Sequence, residues 1–227
     1  MSLRGIMKQN KWLMVFVSKL FNIRYFNNSW KYRYTNKIKT KGAFLKKVKF
    51  NIKGKNNIII VGHKARLNNC KITILGDNCK LIIGEGSTII SEATFWCQDD
   101  ESTIEIGRDF TMEGGHLAST EGKLIKIGDD CMFSGDIEIR NGDSHSIINN
   151  DTRQRINYAK SVTIGNHVWL TAHVRILKGA FIPSNSIIGN SSVVTNKLEK
   201  ENSLYSGIPC KLLKQQIDWD RNKIDHK

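Results

Sequence analysis

From residue 164 onward every sixth residue is aliphatic: Ile164, Leu170, Ile176, Ile182, Ile188 and Val194. Two positions before each stands a small or β-branched residue: Val162, Val168, Val174, Ala180, Ser186 and Ser192. A helix repeats every 3.6 residues and a strand every two, so neither alone produces this period. Six residues suit one flat side of a triangular coil, and three sides suit one turn of about 18 residues. The aliphatic residue then points inward and stacks on its equivalent in the next turn. Gly, Asn and Asp follow it, as in Ile164-Gly165-Asn166 and Ile188-Gly189-Asn190, where the backbone must turn a corner. One coil cannot bury its own interior, so only stacking makes a core.

Upstream the period continues with interruptions, in Ile83-Ile89-Phe95, Ile106-Met112-Ala118 and Ile127-Phe133-Ile139. Ile-Gly pairs recur at 83–84, 106–107, 127–128 and 164–165. Their spacings are 23, 21 and 37 residues, so the last interval holds an insertion of about 19 residues, after Ile139. The run resembles the left-handed β-helix, or hexapeptide-repeat, acyltransferases. That resemblance implies an all-β fold, a single-stranded left-handed parallel β-helix; the handedness comes from it and not from the period. The expected layout is a basic N-terminal arm over 1–50, the coil over 51–200 with an excursion loop at 145–161, and a partly helical tail over 201–227.

The chain has 227 residues, 40% of them hydrophobic, enough for a sizeable core. Its net charge of +14 is lopsided. Residues 1–66 hold 17 Lys and Arg and no acid, the first being Asp77, so the remainder is nearly neutral at −3. This argues against a nucleic-acid binder throughout. A membrane surface is the better expectation for residues 1–40, where Trp12, Phe16, Phe21, Tyr25 and Trp30 interleave with the lysines. The apolar stretch 12–21 is shorter than the ~20 residues a span needs and reads as an amphipathic or core-packed helix. Five scattered cysteines, without a Cys-x-x-Cys, fit reduced core thiols in a cytoplasmic protein.

Counting six from Ile139 lands on His145, so an imidazole fills an inward aliphatic slot where the repeat breaks. The polar stretch from Ser146 to Tyr158 is unrepeated, and long loops in compact folds usually carry function. Acyl transfer to a hydroxyl needs a base near neutrality, and histidine is the natural one. Asp143, two residues earlier, projects to the same side of an extended strand and is expected to orient it. The segment Asp143-Ser144-His145-Ser146-Ile147, with Trp169 24 residues after His145, resembles the capsular polysialic acid O-acetyltransferase branch. The resemblance implies that His145 is the general base and that Trp169 lines the channel of the acetyl-CoA thioester. His167 and His173 are six apart, on adjacent coil sides, and do not converge within one chain; no metal is expected. His63, His116 and His226 carry no signal.

The same resemblance lays acetyl-CoA along Trp169, Thr171, Ala172 and Gly189, with Lys197 near a phosphate. Tyr205-Ser206-Gly207-Ile208-Pro209-Cys210-Lys211 resembles the family's Gly-x-Pro-Ala-Lys ending, with Cys210 for Ala. It implies that Gly207, Pro209 and Lys211 border the adenine end. The implied assembly is a homotrimer with active sites at subunit interfaces. The expected acceptor is a sugar hydroxyl of a surface glycan. An amino group on a sugar, or a non-catalytic scaffold, is the alternative.

Overall fold

A computed structural model describes residues 10–25 and 27–225. As far as Val193–Val194 the strands fall on three faces in strict rotation, so sequence neighbours there do not pair and each strand pairs with the strand one turn away. The first face runs through Lys37–Lys39, Ile58–Val61, Lys80–Ile83, Thr103–Ile106, Leu124–Ile127, Val162–Ile164 and Phe181–Ile182. The second runs from Phe44–Lys46 through Met132–Phe133, Trp169–Leu170 and Ile187–Ile188 to Ser203–Ser206. The third runs from Lys49–Ile52 through Ala93–Cys97, Gly115–Ser119 and Ile137–Arg140 to Val193–Val194. All these pairings are parallel, and the architecture is a β-solenoid.

Register turns the period into a core. Ile83, Ile106, Ile127, Ile164 and Ile182 are successive partners on the first face. Ile89, Met112, Phe133, Leu170 and Ile188 stack on the second. All twelve residues of the unbroken run are at most 2% exposed. Each buried aliphatic side chain contributes roughly 1.5–3 kcal/mol, so the stack outweighs any local preference. The recurrent Ile-Gly pair has a steric cause. A Cβ on Gly84 would stand 2.1 Å from the Gly107 carbonyl oxygen, and one on Gly128 would stand 2.5 Å from that of Gly165. Corner glycines stack too closely for any side chain. All five cysteines are free and buried in the coil.

Three expectations change. The coil begins at Lys37, because residues 37–52 already supply one strand to each face; the arm is shorter than 1–50. That arm contains an α-helix, α1 (Lys11–Arg24), capped by Asn10, whose Oδ1 accepts the N–H groups of Trp12 and Leu13 at 3.1 Å. The inward residue of the third face is Leu117 and not Ala118. The Gly114-Gly115 corner is one residue short, which turns Ala118 outward opposite Trp96. Among its described residues the tail has no helix: Lys211–Gln215 forms a strand antiparallel to Ser203–Ser206. The last coil leaves a row of unpaired backbone groups, and the tail satisfies them as an added strand.

Candidate active site

The excursion leaves the coil at Asn141, a fully buried side chain. Its Nδ2 donates to Ser119 Oγ at 2.9 Å and its Oδ1 accepts the Thr120 N–H at 2.9 Å. Lys160 N–H donates to the Asn141 carbonyl at 2.9 Å and closes the base of the loop. Within it Ile148 and Arg155 form an antiparallel bridge. Asn157 organises the interior. Its Oδ1 accepts the Ile147 N–H at 2.7 Å, and its Nδ2 donates to Asp143 Oδ2 at 2.7 Å and to the His145 carbonyl at 2.8 Å. Arg155 reaches back to Glu121 on the coil, holding that carboxyl below the usual range, and Glu121 also accepts the Ala159 N–H at 3.2 Å. The loop is built and fixed, not a loose tether.

His145 sits at the head of this loop and is exposed. The expected inward slot is not where it lies: the chain has already left the coil at Asn141, so counting by sixes no longer applies. Asp143 does not pair with it either. The carboxylate is bonded by the Lys178 ammonium and by Asn157, and Lys178 holds it below the usual carboxylate range. The same-side rule for i and i+2 needs an extended strand, and the third-face strand ends at Arg140. Asp143 therefore shapes the loop, and the His145 carbonyl is what the loop grips.

Trp169, Thr171, Ala172 and Gly189 gather on the second face and the corner after it. Thr171 Oγ1 donates to the Ile188 carbonyl at 2.7 Å, and Gly189 N–H donates to that of Tyr205 at 2.8 Å. A Cβ at Gly189 would stand 2.6 Å from Ser206 Oγ. The Trp169 and Thr171 N–H groups bond the Ser186 and Ile188 carbonyls, whereas the Ala172 N–H has no acceptor among the described residues. Trp169 Nε1 is likewise buried without a partner there. Gly207 and Pro209 are exposed in the turn that leads to Lys211, which pairs with Ser206 beside this group. Lys197 is not brought to it: it bridges to Phe181 on the first face. Nor does one chain unite His145 with Trp169. The loop springs from the corner between third and first faces, and Trp169 stands on the second.

Two features were not foreseen. The third face carries a cavity of about 500 Å³ lined by Trp96, His116, Glu138, Lys71 and others. A smaller recess adjoining Trp96 runs past Arg140 to Asp143 and Ser144. Trp96 Nε1 and His116 Nε2 are buried there without partners among the described residues, and burial, then Arg140, pushes the His116 imidazole below its usual pKa. Ala118 opposite Trp96 lines the smaller recess, and that signal was hidden by the one-residue slip at Gly114-Gly115. The second feature is a latch. Trp219 of the tail stacks on His167, with ring centroids 4.1 Å apart and planes within 7°, and its ring lies 6.1 Å from that of Trp169. His167 Nδ1 is 2.7 Å from Asp130 Oδ2, and Arg221 reaches the same carboxylate at 2.9 Å. His173 bonds Asp136 one corner further on, so each histidine has its own aspartate.

No protein-family profile matches the chain. The polysialic acid O-acetyltransferase of Neisseria meningitidis is 33% identical over 188 residues, 74% of this chain and 87% of that protein. The polysialic acid O-acetyltransferase of Escherichia coli O1:K1 is 33% identical over 120 residues, 53% of this chain and 39% of that one. The galactoside O-acetyltransferase of E. coli K12 is 30% identical over 121 residues, 53% of this chain and 58% of that one. Among solved structures, the polysialic acid O-acetyltransferase OatWY superposes with a TM-score of 0.80 at 32% identity, covering 85% of this chain and 90% of that one.

Proposed function

The chain belongs to the hexapeptide-repeat acetyltransferases and is related to the polysialic acid O-acetyltransferases; from that premise we propose that it moves an acetyl group from acetyl-CoA to a sugar hydroxyl of a surface glycan. The observation that carries the reading is the coil's one long excursion, fixed by Asn157, Lys178 and Arg155, with an exposed histidine at its head. A base must be held still and still reach substrate, and this loop meets both demands.

In the proposed step the His145 imidazole takes the proton of the acceptor hydroxyl. The oxygen attacks the thioester carbonyl, and the negative charge collects on the carbonyl oxygen. The unpaired N–H of Ala172 is the donor available to that oxyanion. The carbon–sulfur bond then breaks, and the proton on His145 passes to the leaving thiolate. No cysteine serves as an acyl carrier, since all five are buried.

Because His145 and Trp169 lie on different faces, the complete site needs two chains: the loop of one against the second face of its neighbour. This supports a homotrimer in which each interface holds one site. The winding is inferred to be left-handed, as in the family. The acceptor is placed along the third face, where the Trp96–His116 cavity leads through the recess at Arg140 toward Asp143 and Ser144. Aromatic faces suit a sugar. Acetyl-CoA incubated with capsular and lipopolysaccharide oligosaccharides tests the reading, with thiol release and product mass followed together. Acceptor-dependent thiol release with an alkali-labile ester supports it. An alkali-stable amide product, or thiol release independent of every acceptor, contradicts it.

A further inference from the structure

The helix α1 (Lys11–Arg24) is pinned to the coil by one face only. Met14 and Ser18 are buried, and Phe21 packs edge-on against Phe44 with ring centroids 5.4 Å apart. Asn22 bridges the first coil: its Nδ2 donates to the Ala43 carbonyl at 2.9 Å and its Oδ1 accepts the Leu45 N–H at 2.8 Å. The opposite face carries Trp12, Phe16, Leu20 and Ile23, which are 81, 60, 52 and 64% exposed. Positions i, i+4, i+8 and i+11 form a single stripe along a helix. A folded protein gains nothing by holding four large apolar side chains in water in one row. Scattered exposed leucines need no explanation, but an aligned stripe on an anchored helix does.

Charge identifies what covers the stripe. Lys19 and Arg24 flank it, and Lys41 of the first coil lies 5.6 Å from the Trp12 ring centroid. Lys37, Lys39, Lys46, Lys47 and Lys49 are exposed on the same first coil. Residues 1–66 contain no acid, and among the described residues no ion pair involves a basic residue before Lys64. The cations are therefore not neutralised from within. We infer that α1 and the first coil dock on an anionic lipid surface, with the stripe immersed and the lysines on the headgroups. An apolar stripe bordered by cations, on a helix of about 21 Å lying flat, is what an interfacial anchor requires. Among the described residues no helix is long and apolar enough to cross a membrane, so α1 lies on the bilayer and does not span it. Nucleic acid would satisfy the charge but leave the stripe in water. A second copy of the chain would cover the stripe but set one lysine-rich end against another.

The anchor stands or falls independently of the acetyl-transfer reading. The experiment is co-sedimentation of the full chain with phosphatidylcholine vesicles, with and without phosphatidylglycerol. Wild type is compared with the double variant Phe16→Ser/Leu20→Ser at low and high salt. Both side chains are exposed, so the variant is expected to keep wild-type circular dichroism and molecular mass. Wild type should pellet with the anionic vesicles only, and raising salt to about 0.5 M should release it. The double variant should bind about tenfold more weakly or worse. Wild type staying in the supernatant with anionic vesicles overturns the inference. So does a variant that binds as tightly as wild type, since the stripe would then have no part in it. A variant that changes oligomeric mass while lipid affinity holds assigns the stripe to a subunit contact and also overturns it.

Discussion

Asp143 shows how far a local rule carries and where it stops. The aliphatic period breaks before His145, and a broken period is visible in one sequence, but the inward slot it implied is not where His145 lies. Its neighbour was assigned on the geometry of a strand that has already ended at Arg140, so its carboxylate faces Lys178 and Asn157. Lys178→Met keeps the alkyl stem and removes the cation. Turnover should fall by about 10- to 100-fold with the KM for acetyl-CoA nearly unchanged, because the fault is misplacement of the base and not donor binding. Steady-state kinetics on the folded variant check this, and a rise in KM alone would assign Lys178 to the donor. The folded Asp143 carboxyl titrates below its unfolded value of about 3.9. The clamp's contribution is then complete above that pH and lost as pH falls through the depressed value. Loop opening, followed by tyrosine or hydrogen-exchange signals, should begin below about pH 4 and not near neutrality. Burial also raises the thiols of Cys70 and Cys131 to about 12 and that of Cys210 to about 11. At pH 8 an aromatic disulfide reagent should label these three only after denaturation; labelling of the native protein would contradict their place in the core.

Elements divide sharply in how readable they were. Strands built from the unbroken hexapeptide run sit where the period puts them, since inward stacking dominates everything local. Upstream, a corner shorter by one residue exchanges Ala118 for Leu117, and a one-residue slip reverses which side chains face out. The recess that Ala118 lines beside Trp96 went unseen for that reason. The tail failed differently. Leu212, Leu213, Ile217 and Trp219 look amphipathic, but the open edge of the last coil recruits residues 211–215 as a strand. Beyond it, Trp219 and Arg221 bind residues far away in sequence, His167, Asp130 and Thr111, which no local pattern foretells. Trp219→Ala removes the stack that holds this latch. At a cost of about 3 kcal/mol, amide exchange over residues 216–225 should accelerate by about 100-fold while the coil core keeps its protection. Uniformly faster exchange across the coil would show that the tail supports the whole solenoid and is not a local latch.

At the scale of the whole molecule the separation of His145 and Trp169 onto different faces is the fact that matters. His145 and Trp169 belong to different corners of the coil, so in the proposed site each comes from a different chain. If neighbours complete it, His145→Ala and Trp169→Ala chains, each inactive alone, should complement when co-expressed. Random mixing gives each interface both intact halves in about a quarter of cases, so about a quarter of wild-type activity should return. No recovery in mixed trimers of verified composition would place both residues in one chain's site. The central claim is that His145 is the base for acetyl transfer to a glycan hydroxyl. The measurement that addresses it most directly is turnover of acetyl-CoA and a confirmed oligosaccharide acceptor by purified, folded His145→Ala, with donor affinity measured alongside by calorimetry. The account predicts a loss of about 10²–10⁴-fold in turnover with acetyl-CoA binding retained. Turnover close to wild type in a folded His145→Ala protein would contradict it.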